Sequence, residues 1–133
     1  METNLWSQKL LPALAVVVGL ILVSFLAAPF VPPAVDWSRF FRPAVLTLLS
    51  GGSPYGGIYV IHAPWGLLML TPFALLPEAV GRVMLIFCAL AAYAFIAHRL
   101  GAKPLAIIFL LISPTVMHLL LNGNLDWLAS FGF

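Results

Sequence analysis

An apolar stretch of about 21 residues follows Lys9 and runs through Phe30. Wound as an α-helix it is roughly 30 Å long, the thickness of a bilayer's hydrocarbon core. The stretch imitates a secretory signal, with a basic residue before it and Ala27-Ala28 near its end. Signal h-regions, however, run to only about 7–15 residues. Pro29 directly after the alanines also argues against cleavage, so a retained span is predicted. The rest of the chain has the same character. Of its 133 residues 63% are hydrophobic and 8% charged, with a mean hydropathy of +1.12. Soluble domains average about 25% charged residues, so this chain cannot cover a globule with polar surface. Lipid is the solvent that tolerates such a balance, and an all-α integral membrane fold is expected.

The remaining segments follow from apolar runs and their breakers. The first span is expected over residues 10–28 and stopped by Pro29, Pro32 and Pro33, since proline lacks the N–H and clashes with the preceding turn. Residues 34–77 read as one loop carrying short helices. Within it, residues 36–49 alternate apolar and polar positions at helical spacing, which suits a helix lying at the interface. Gly51-Gly52-Ser53-Pro54-Tyr55-Gly56-Gly57 breaks regular structure. Pro54, Pro64, Pro72 and Pro77 divide residues 58–76 into pieces too short to cross a bilayer. Short re-entrant or interfacial helices are expected there, with a kinked true span as the alternative. Further spans are expected over 79–97 and 104–121, the latter with Pro104 in its first turn. Residues 125–133 look like the start of another span, so the chain reads as the N-terminal part of a longer single membrane domain.

Three spans put the N-terminus and the 98–103 turn on one side, and Asp36 and Asp126 on the other. Basic residues in short loops mark the cytoplasmic face. Here Lys9, Arg99 and Lys103 balance Arg39, Arg42 and Arg82, so that rule alone decides nothing. With the N-terminus inside, Asp36, Glu78 and Asp126 lie outside, and Trp37, Tyr55, Tyr59, Trp65 and Trp127 form an outer aromatic belt. The expectation is a multi-pass plasma-membrane protein with a cytoplasmic N-terminus.

The formal charge of +2 is small and dispersed, which points away from nucleic acid. A single cysteine, Cys88, excludes an internal disulfide. Three scattered histidines supply no metal-ligand spacing, and no cofactor motif is present.

Asp36, then Phe40-Phe41, then Leu48-Leu49-Ser50-Gly51-Gly52-Ser53-Pro54-Tyr55 resembles the first outer loop of membrane glycosyltransferases of the GT-C fold. The closest likeness is to glycosyltransferase family 87, the polyprenyl-phosphate-mannose type. Ala63-Pro64-Trp65 stands where that family often has Tyr-Pro-Pro. Thr71-Pro72-Phe73-Ala74-Leu75-Leu76-Pro77 resembles its following proline turn. Leu121-Asn122-Gly123-Asn124-Leu125 resembles its Gly-Gln-Asn-like stretch, with Asn124 in place of glutamine. The likeness covers residues 10–133 and about the N-terminal third of a family member.

The resemblance implies that an acceptor hydroxyl attacks the anomeric carbon of a polyprenyl-phosphate sugar at the outer membrane face. Such chemistry needs a general base and positive charge near the departing phosphate. Asp36 is the implied base; its plainer role is to cap the interfacial helix or pair with Arg39. Arg39 and Arg42, three apart and so on one helical face, suit a phosphate grip or ordinary attraction to headgroups. Asn124 and Asp126 are implied substrate contacts, and Asp126 serves equally well as a surface cap. Glu78 and Arg82, four apart, read as a local pair. His118, one turn before Asn122, reads as a neutral histidine bonded to a neighbouring helix. The rival class is a non-catalytic helical subunit docked on a larger membrane complex, with Gly81, Ala89, Ala91 and Ala92 allowing close packing. A transporter is the weaker class, because the chain has no internal repeat.

Overall fold

A computed structural model describes residues 4–56 and 63–129, with side chains from Leu10 onward. It is all-helical, with no strand among the described residues. Two helices dominate. The first, α1 (Asn4–Ala27), carries a candidate span over Leu10–Phe30 with mean hydropathy 2.8, of which only 6% is buried. The second, α5 (Glu78–Arg99), has mean hydropathy 2.1 and is 39% buried. Both are long and apolar enough to cross a membrane. Of the described α1 side chains only Ser24 is buried, and α1 packs chiefly on α5. An apolar helix left this bare is stable where lipid replaces water around it.

Proline sets the exit from α1. A short 3-10 turn (Ala28–Phe30) leads to Val31, held extended at φ −98°, ψ 126° ahead of Pro32. Helix then resumes at Val35 and continues to Leu49, first with π geometry over Trp37–Phe41 and then as α2 (Arg42–Leu49). The π turn is closed by the Arg42 N–H donating to the Trp37 carbonyl, an i→i+5 bond. Pro43 follows directly, and within a helix its ring clashes with the carbonyl four residues back. Widening the preceding turn relieves that clash. Residues 63–76 form two short helices, α3 (Pro64–Met69) and α4 (Thr71–Ala74), each with proline in its first turn. The expected fragmentation by proline is therefore present over 63–76; residues 57–62, with Tyr59 and His62, lie outside the described residues.

The expected single helix over 104–121 is instead two, α6 (Pro104–Leu111) and α7 (Pro114–Asn122), bent by 52°. The reason is local. Pro114 cannot donate to the carbonyl of residue 110, and Ser113 caps the new helix by accepting from the Val116 N–H at 3.4 Å. The α6 helix has no buried residue. A short α8 (Asp126–Ala129) ends the described chain, so residues 130–133 of the expected further span lie outside it.

The core gathers around α5. Gly81, Leu85, Ala89 and Ala92 make one buried stripe at spacings of four, four and three. Against it sit Trp37, Phe41, Val45, Leu67, Leu70, Val116, Leu120 and Trp127. Of the small residues expected to permit close packing, Gly81, Ala89 and Ala92 are buried, whereas Ala91 is exposed.

Candidate functional site

The segment around Asp36 is fastened to the start of α5 and the end of α7, and Trp37 is the centre of the junction. Its side chain is 0% exposed, and its Nε1–H donates to the Glu78 carbonyl at 3.1 Å. A buried indole needs such a partner. Two glycines make room for it. A Cβ at Gly81 would lie 3.2 Å from Trp37 Cζ2 and would collide with the Phe73 carbonyl oxygen. A Cβ at Gly123 would lie 2.9 Å from Trp37 Cβ and 3.2 Å from Ala34 Cβ. Gly123 also has φ +74°, the left-handed cap that ends α7. There the Asn124 N–H returns to the Leu119 carbonyl at 3.0 Å.

This geometry brings Ala34–Trp37 against Gly123, so Asp36 and Asn124 adjoin two touching residues. Since α5 rises about 1.5 Å per residue, its 22 residues put the His98–Lys103 turn roughly 33 Å from this junction. The bent α6–α7 pair makes the return. Asp36 and Asn124 thus share one end of the bundle, at the start of α5.

The expected site residues differ in surroundings. Asp36 is half-buried and makes no side-chain cap bond, so the plainer capping role is not the one it has. Arg39 is exposed. Arg42 is half-buried, with Nη2 3.5 Å from the Leu76 carbonyl and a buried Nε that has no partner. The two arginines therefore do not present one common face. The i→i+5 turn between them spreads residues three apart further around the axis than an α-helix does. Asn124 accepts the Asp126 N–H through Oδ1 at 3.0 Å, an Asx turn that starts α8. Asp126 is exposed and lines a shallow groove of about 110 Å³ with Trp65, Gly66 and Leu125.

Three features escape sequence reasoning. Trp37 and Trp127 are buried in protein instead of standing in an aromatic belt, while Tyr55 and Trp65 are exposed as expected. Glu78 and Arg82 attract each other as the spacing suggests, but each also takes a partner from the 31–38 segment: Ser38 Oγ donates to the Glu78 carboxylate, and Arg82 Nη2 donates to the Val31 carbonyl at 2.7 Å. His118 bonds Asn122 within its own helix, at 3.0 Å, and not a neighbouring helix. The usable signals were an indole needing a partner and glycines at 81 and 123 that leave room for it.

Among the described residues no group of three or more His, Cys, Asp or Glu side chains is placed to hold a metal ion. The architecture defines an all-helical protein with two helices able to cross a membrane. Comparison with protein-family models, curated proteins and solved structures finds no match to this chain.

Proposed function

We propose that this chain is the N-terminal portion of a GT-C-type membrane glycosyltransferase that uses a polyprenyl-phosphate sugar. In this reading α1, α5 and the bent α6–α7 pair are three spans of the plasma membrane, with the N-terminus cytoplasmic. Asp36 then faces the outer leaflet and takes the proton of the acceptor hydroxyl as it attacks the anomeric carbon. Arg39, which is exposed, is better placed than Arg42 to meet the departing lipid phosphate, because Arg42 is directed at Leu76. Asn124 and Asp126 contribute to the substrate side.

The single observation that supports this most is the Trp37 junction. It holds a half-buried carboxylate next to the Asn124 turn at one end of the bundle, among short proline-broken helices. The motif resemblance supplies the reaction class, which geometry alone does not specify.

The test is sugar transfer from a polyprenyl-phosphate donor by the complete reading frame, with and without Asp36→Asn. General-base catalysis contributes about 10²–10⁴-fold, so a loss of at least a hundredfold is expected. Full activity in the variant removes the assignment. No transfer by the unaltered protein, together with stoichiometric co-purification of a partner, favours the non-catalytic subunit.

A further inference from the structure

We infer that the first turn and a half of α5 is a clasp that fixes the position of Asp36, with Glu78 and Arg82 as positioning residues. The inference rests on the proposed role of Asp36 for its functional meaning, though not for its geometry. Three hydrogen bonds run from α5 to the 31–38 segment, and they bracket residue 36. On the upstream side Arg82 Nη2 donates to the Val31 carbonyl at 2.7 Å. Downstream, Trp37 Nε1 donates to the Glu78 carbonyl at 3.1 Å, and Ser38 Oγ donates to the Glu78 carboxylate. Glu78 thus serves twice, once through its main chain and once through its side chain.

The arrangement suits positioning better than general stability. Arg82 is 6% exposed; its guanidinium donates to one loop carbonyl and feels the Glu78 carboxylate, while its Nε has no partner among the described residues. A buried cation is costly, and an apolar residue of similar size would pack α5 without that cost. What an apolar residue cannot do is hold the Val31 carbonyl, which lies in extended backbone ahead of Pro32 and so has no helical N–H to accept from. Residues 78 and 82 are one helical turn apart, on one face of α5. That face meets the segment on both sides of Asp36, so α5 sets the carboxylate's place along the bundle axis. A base must sit within hydrogen-bond reach of its substrate proton, and such precision comes from rigid elements behind it.

The test reads position 36 directly. The protein carries Cys88→Ala and Asp36→Cys, is reconstituted in liposomes, and is alkylated by a hydrophilic maleimide; Lys103→Cys serves as a control at the far end. With the clasp intact, alkylation at 36 is slow. Arg82→Met and, separately, Glu78→Ala are expected to raise that rate about tenfold or more, the worth of one charge-assisted hydrogen bond. The rate at 103 is expected to stay the same. Arg82→Lys, which keeps a donor for Val31, restores slow labelling. Ser38→Ala combined with Glu78→Ala adds nothing beyond Glu78→Ala alone. Unchanged labelling at 36, or an equal rise at 36 and 103, overturns the clasp. Failure of the glycosyl-transfer reading shows separately, as Asp36→Asn retaining full transfer while the labelling pattern holds.

Discussion

Replacing Gly81 by alanine adds one methyl group at the tightest crossing in the bundle. The new Cβ collides with the Phe73 carbonyl oxygen and falls 3.1 Å from its carbon and 3.2 Å from Trp37 Cζ2. Carbon contacts settle at about 3.5–4.0 Å, so α4 must move from α5 by roughly 1 Å. The obstacle is backbone, and no rotamer change relieves it. Overpacking of this kind costs about 1–3 kcal/mol, with a main-chain clash near the top of that range. Alanine in a helix interior recovers about 1 kcal/mol relative to glycine. The net expectation is a loss of about 2 kcal/mol. Gly66→Ala is the control, since none of the described residues comes within 4 Å of a Cβ there. It is expected to be neutral or stabilising by up to about 1 kcal/mol. Denaturant unfolding in detergent micelles, followed by tryptophan fluorescence and circular dichroism, measures both. Equal midpoints for the two variants refute the reasoning. A shift at Gly81 also displaces Trp37, so on the proposed function sugar transfer is expected to fall with stability in that variant alone.

Other consequences follow from the same contacts. Gly123→Ala meets both a left-handed backbone, costing about 1–2 kcal/mol, and the Trp37 side chain; it is expected to lower the unfolding midpoint more than Gly101→Ala, where φ is +84° but no atom of the described residues lies within 4 Å. Trp37→Phe leaves the Glu78 carbonyl without its indole donor, and a loss of about 1–3 kcal/mol is expected in the same unfolding assay. Pro114→Ala restores an N–H to the helical ladder, and the 52° bend is expected to decrease, read as a longer spin-label distance between positions 104 and 122.

The long elements were legible because hydropathy depends on composition over some twenty residues, and α1 and α5 each hold an apolar window of that order. The break at Ser113-Pro114 was missed for the same reason: the apolar run masks a two-residue cap-and-proline signal. The proline-divided pieces over 63–76 were readable, since each helix there begins at its own proline. Trp37 shows the limit most clearly. Tryptophan near the end of a span suits either the lipid interface or a buried pocket, and only the partners decide. Those partners, Glu78, Gly81 and Gly123, lie 41 to 86 residues further along the chain. Likewise the pairing of Arg82 with Val31 and of Glu78 with Ser38 links residues that no local spacing rule connects.

Sidedness of labelling tests the architecture most directly. Single cysteines at 36, 103 and 126, in a Cys88→Ala background, are exposed to a membrane-impermeant thiol reagent in intact cells and in inverted vesicles. Positions 36 and 126 are expected to react from outside the cell, and position 103 only from the cytoplasmic side. Labelling of 36 and 126 from opposite sides, or of 36 and 103 from the same side, contradicts the account.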